Sequence, residues 1–125
     1  MTKPGAVGIY EVVVEERHTA HALGNEGVRV VATPMLAHFC SLAAQRAVAP
    51  GLVDGEVALP VGSTLAHLKA SPPGARIVAT ARVTEVNGRR VDLGVEACDG
   101  EETVMAGTLT WAVEDRAALL AAAGT

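Results

Sequence analysis

The chain changes its hydrophobic period abruptly at Pro50-Gly51, and this change limits the folds open to it. Before the break, Met35, Leu36, Phe39, Leu42 and Ala43 recur at helical spacing and form one apolar face. This helix opens at Ala32-Thr33-Pro34: Thr is a favoured cap and Pro is preorganised for the first helical position. It stops near Ala49. From Glu56 onward the period is two, broken at Ser71-Pro-Pro-Gly74, Asn87-Gly88 and Asp99-Gly100. Asn-Gly and Asp-Gly are hairpin signals of the type I′ kind, so the last three strands are consecutive and antiparallel. Between the two hairpin turns, Val91, Leu93, Val95 and Ala97 point one way while Asp92 and Glu96 point the other, as in a sheet with one covered face. Upstream, Ile9 to Glu15 reads as a strand and Glu16 to Gly27 as a loop. The Ala-rich stretch from Ala117 to Ala123 reads as a short helix that closes the fold. The expected class is α+β: one long central helix wrapped by a curved antiparallel sheet.

The 125 residues suit one domain over 1–125 with a core that needs neither a disulfide nor a metal. Fourteen acidic residues against ten basic ones, with 2% aromatics, argue against a nucleic-acid partner, which would be repelled and would find no stacking surface. No apolar run approaches the ~18 residues of a membrane span and the start lacks a signal-peptide core, so the expected location is cytoplasmic, away from membranes. Cys40 and Cys98 lack CxxC spacing and read as reduced, buried thiols. With 50% hydrophobic residues, the chain has more apolar surface than one small core hides, which points to a subunit interface.

Two positions carry the most chemistry. A helix N-terminus presents free amides and partial positive charge, so a group in front of Thr33 would find its oxyanion stabilised. The Thr33 hydroxyl could cap the helix, orient water or attack a carbonyl. His67, in a strand pattern just before the Pro-Pro-Gly break, has a side chain suited to general-base work, although a lone strand His is more often a hydrogen-bonded structural residue. On the helix, His38, Ser41 and Gln45 form a polar stripe in which a Ser–His contact is open, as is simple solvation. His18 and His21 have no matching Asp, Glu or Cys, so no metal site is expected. Lys69, Arg76, Arg89 and Arg90 lie near turns, where they could meet phosphates or stay solvated. No phosphate-binding loop or dinucleotide fingerprint is present.

Val30-Val-Ala-Thr-Pro34, Gly62-Ser-Thr-Leu-Ala-His67, Ser71-Pro-Pro-Gly74, and Val86-Asn-Gly-Arg-Arg90 leading into Ala97-Cys-Asp-Gly100, together resemble the hotdog-fold thioesterases of the fluoroacetyl-CoA thioesterase type. The resemblance runs from about Val12 to Val113. It implies a homodimer, with a tetramer left open, whose joined sheets place acyl-CoA sites at the interface, and no cofactor beyond the CoA of the substrate. Thr33 and His67 match the family's catalytic Thr and His. Pro34, His38 and Gly62 are the candidate substrate-binding residues.

The resemblance also implies a Glu on the helix at position 41, where this chain has Ser41, and no other acid lies between Thr33 and Pro50. Ser41 could hydrogen-bond water or substrate, but an unassisted hydroxyl is a poor nucleophile. His67 could act alone, His38 could supply the missing base, or the site could bind an acyl thioester without turning it over. The expected activity is hydrolysis of a small or medium acyl thioester by Thr33, Ser41 and His67. The alternative is a noncatalytic protein binding acyl-CoA or another small ligand. Hydration or dehydration of an acyl thioester ranks below both, because the helix has no acid to pair with His67.

Overall fold

The computed structural model describes residues Met1–Thr125. In chain order the elements are β1 (Val7–Val13), α1 (Thr33–Val48), β2 (Glu56–His67), β3 (Arg76–Asn87), β4 (Arg90–Asp99), β5 (Glu102–Asp115) and α2 (Arg116–Ala122). Single 3-10 turns lie at Glu16–His18 and Ala49–Gly51. All strand pairs are antiparallel, in the order β1-β3-β4-β5-β2. The expected succession of strand, long helix and four strands is what forms. β1 begins at Val7 rather than Ile9.

Both hairpins fall where the glycines place them, but the turns are shifted by one residue. Asn87 pairs with Arg90 and Asp99 with Glu102, so the loop residues are Gly88-Arg89 and Gly100-Glu101. Gly88 (φ 64°) and Gly100 (φ 62°) have positive φ, whereas no non-glycine residue does. A positive φ at the first loop position alone is the II′ arrangement rather than the expected I′.

α1 packs on the sheet face that carries Ile77, Ala79, Ala81, Val83, Val91, Leu93, Val95 and Ala97, all buried. Of the expected apolar face, Leu36, Phe39 and Ala43 are buried, and Met35 and Leu42 lie half-buried at its margins. Cys40, Ala44, Ala47 and Val48 complete it. The contact is built largely from Ala and Val, which lets helix and sheet approach closely. At Gly8 on β1 a Cβ would stand 2.0 Å from the Ala43 carbonyl oxygen and 2.5 Å from the Ala47 nitrogen, so only glycine fits. Burying a Leu36 or Phe39 side chain contributes roughly 1.5–3 kcal/mol. α2 buries none of its residues; Asp115 caps it by accepting from the Ala118 amide at 2.8 Å.

The two sheet edges differ. On β1, Arg46 of α1 donates to the Ile9 carbonyl at 2.7 Å and lies over the Tyr10 ring at 5.1 Å, so one acceptor of that strand is taken. On β2, Pro60 to Thr64 are exposed and the register slips between Pro60 and Gly62. Cys40 is buried, with its thiol pushed up to about 11 by that burial, while Cys98 is only half-buried. No helix is long and apolar enough to cross a membrane.

Candidate active site

The site forms where the start of α1 meets the end of β2. The segment before α1 is held from two sides: the Ala32 amide donates to the His18 carbonyl at 2.9 Å and the Val31 amide to the Ser71 carbonyl at 2.8 Å. His18 is itself buried, edge-on to Phe39 with ring centroids 5.3 Å apart, and its Nδ1 accepts from the Glu15 amide at 2.9 Å. Burial, and secondarily the charge of Arg17, hold the His18 pKa below its ordinary value.

Ala32 is the N-cap, so Thr33 is the first helical residue and its hydroxyl caps nothing. The hydroxyl oxygen instead lies 2.8 Å from His67 Nδ1. Nε2 of the same ring lies 3.0 Å from the Lys69 carbonyl oxygen. In the first turn, the Met35 and Leu36 amides both donate to the Ala32 carbonyl and Pro34 has no N–H. Thr33 N–H is therefore the one amide of that turn without an acceptor. The expected cluster of free helix amides reduces to this single donor, placed beside the Thr33 hydroxyl.

The other candidates lie apart from this pair. Ser41 is eight residues beyond Thr33, a rise of about 12 Å along the helix, so one chain cannot bring both to one carbonyl. It is half-buried in a cavity of about 330 Å³ whose lining includes Ala37, Gly62, Leu65 and Leu109. Gly62 thus joins Ser41 in a cavity between α1 and β2 whose lining includes neither Thr33 nor His67. Pro34 is exposed in the first turn. His38 is exposed, beside Phe39 with ring centroids 6.4 Å apart, and makes no hydrogen bond to Ser41. The structure supplies no Ser–His contact there.

Each basic residue proposed for phosphates has an acidic neighbour: Lys69 pairs with Glu102, Arg76 with Glu11, Arg89 with Glu56 and Arg90 with Asp92. The hydrogen bond from Arg90, followed by that from Thr110, holds Asp92 below its ordinary pKa despite some desolvation. Nδ1 of His21 accepts from the Gly27 amide, and no group of three or more His, Cys, Asp or Glu stands close enough to hold a metal. Sequence reasoning missed the Lys69 carbonyl, since a main-chain acceptor leaves no residue-type signal.

The sequence pattern of the fluoroacetyl-CoA-specific thioesterase family matches residues 14–117. The chain belongs to that family. The fluoroacetyl-CoA thioesterase of Streptantibioticus cattleyicolor is 37% identical over 79 residues, which is 63% of this chain and 57% of that protein. The match thus spans little more than half the length of that relative. Among solved structures, a variant of fluoroacetyl-CoA thioesterase in complex with acetyl-CoA superposes with a TM-score of 0.92 at 29% identity, covering 97% of this chain and 96% of the other. A thioesterase superfamily member from Thermus thermophilus gives 0.89 at 26% identity, covering 97% and 90%. The expected hotdog architecture, a long helix against an antiparallel sheet, is the fold these thioesterases share.

Proposed function

We propose that this family member hydrolyses a small or medium acyl thioester of CoA. The observation that carries the reading is the 2.8 Å contact between Thr33 Oγ1 and His67 Nδ1 at the start of α1. The likeness to a fluoroacetyl-CoA thioesterase and to an acetyl-CoA complex supports the substrate class. His67 Nδ1 takes the Thr33 proton as the hydroxyl oxygen attacks the thioester carbonyl, and Thr33 N–H donates to the developing oxyanion. Collapse breaks the C–S bond, and the thiolate of CoA leaves with the proton from His67. Water, deprotonated by the same nitrogen, then cleaves the acyl-threonine ester and restores both side chains.

In this reading Ser41, Gly62, Pro34 and His38 contact the substrate rather than move its protons. A second copy joined along the unpaired β2 edge, where Pro60 to Thr64 are exposed, covers the cavity at Ser41 and completes the binding site. Release of free thiol from a panel of short and medium acyl-CoAs tests the activity. No release above buffer, with wild type equal to His67→Ala, sinks it. Ser41 at the acid position favours a second reading, an acyl-CoA-binding protein without turnover. Calorimetric binding of CoA thioesters with no thiol release would establish that alternative.

A further inference from the structure

We infer that the main-chain carbonyl of Lys69 is a positioning group for the reaction: it fixes the tautomer of His67 and aims Nδ1 at Thr33. The inference rests on the hydrolase reading, and it concerns how a site without an acid at position 41 keeps its base correctly protonated.

The two neighbours of the ring differ in what they can donate and accept. A hydroxyl donates or accepts, so Thr33 is compatible with a proton on either side of His67. A carbonyl only accepts, so the oxygen of Lys69, 3.0 Å from Nε2, requires the ring proton there. Nδ1 then carries a lone pair facing the Thr33 hydroxyl at 2.8 Å. The opposite tautomer would turn the Nε2 lone pair toward the carbonyl oxygen and direct an N–H at Thr33, leaving the hydroxyl without a base. In Ser–His–Asp hydrolases a carboxylate sets the tautomer in this way, and losing it there lowers kcat by about 10⁴ through the wrong tautomer. Here no acid forms an ion pair with His67, and the peptide oxygen two residues later stands in that position.

The fold holds this oxygen still. His67 is the last residue of β2, but the Leu68 amide still donates to the Val104 carbonyl at 2.7 Å and keeps the chain on the sheet for one more residue. Lys69 Nζ lies 3.1 Å from Glu102 on β5. Ser71, fully buried, accepts from the Val31 amide. The segment is thus anchored to the sheet on one side and to the chain entering α1 on the other, so the same short loop positions both members of the Thr33–His67 pair.

The Ala70 amide donates no hydrogen bond, which permits a clean test. Replacing Ala70 by L-lactic acid converts the Lys69–Ala70 amide to an ester, weakening the Lys69 carbonyl as an acceptor while keeping every side chain. Two readouts follow. The ¹⁵N shifts of the neutral His67 ring in wild type and in Thr33→Val are expected to show a protonated Nε2 and a bare Nδ1 in both. A protonated Nδ1 in wild type, or a switch of tautomer in Thr33→Val, overturns the inference, the latter because Thr33 would then be setting it. In the ester variant kcat is expected to fall about tenfold with KM unchanged, the signature of an interaction that matters in the transition state; an unchanged kcat overturns it. The tautomer is readable even if no acyl-CoA is hydrolysed, so failure of the hydrolase reading and failure of this inference are distinct results.

Discussion

Thr33 Oγ1 and His67 Nδ1, 34 positions apart in the chain, meet at 2.8 Å and tie the first turn of α1 to the last residue of β2. The helix begins correctly without the Thr33 side chain, because Ala32 occupies the N-cap and its carbonyl accepts from Met35 and Leu36. The hydroxyl is therefore free for chemistry, and stability and activity are separable at this position.

Thr33→Ala is expected to change the free energy of unfolding by no more than about 0.5 kcal/mol, against the roughly 1 kcal/mol that loss of a helix cap costs. Thiol release should fall by about 10²–10⁴, as should that of His67→Ala, while Thr33→Ser retains most of it. Urea melts and acyl-CoA kinetics on the same preparations check this. A cap-sized loss of stability with intact activity would return Thr33 to a structural role.

Ser41 lines the cavity beyond the pair, so its hydroxyl is expected to act on binding. Ser41→Ala should raise KM a few-fold and leave kcat near wild type, the pattern of a contact equally strong in ground and transition states. Should kcat drop as far as in Thr33→Ala, Ser41 takes part in the chemistry, which by the ~12 Å helical rise requires Ser41 of the partner subunit.

Local signals and long-range geometry divide what the residues reveal. The Gly88 and Gly100 hairpins, the alternation along β4 and the Thr-Pro helix start are set by neighbours in sequence, and each is present in the fold. The place of β1 beside β3 depends on contacts across some seventy residues, and no periodicity encodes it. Thr33 looks like a cap because caps are judged by local spacing, whereas its actual partner comes from another element. His38 and Ser41 share a helical stripe, yet Ser41 lies half-buried in a cavity lined by β2 residues while His38 is exposed. Lys69, Arg76 and Arg89 find acids on other strands, pairings that local spacing does not show, whereas Arg90 pairs with Asp92 two residues along its own strand.

His18 links pH to the start of α1. Its folded pKa lies below the ordinary value of 6.5 because burial disfavours the charged ring. The unfolded chain thus takes up the proton first as pH falls, so the stability His18 contributes is complete above pH 6.5 and is lost progressively below it. Urea midpoints at pH 7.5 and pH 5 should differ in that direction, and His18→Gln should reduce the difference. An equal pH dependence in the variant would remove His18 from the account.

Gly8 sets the distance between β1 and α1. Because a Cβ there would stand 2.0 Å from Ala43 O, Gly8→Ala is expected to cost about 3 kcal/mol or more, or to prevent folding. Gly5→Ala is a useful comparison: a Cβ there meets nothing, and its φ of 90° confines the penalty to backbone strain. Thermal melts of the two variants should separate packing from conformational cost, with Gly8→Ala the worse.

The open edge of β2 gives the sharpest test of dimer formation. The Leu68 amide points to Val104 on β5, and strand alternation then turns the amides of Ala66 and Thr64 the same way and those of Ser63, Leu65 and His67 toward the unpaired edge. Ser63 is exposed, so Ser63→Pro removes a donor from the open edge without touching the ladder to β5. Sedimentation of the wild type should give a dimer, and of Ser63→Pro a folded monomer with weakened thiol release. A wild-type monomer with full activity would remove the second copy from the mechanism. A variant that stays dimeric would place the interface on another face of the chain.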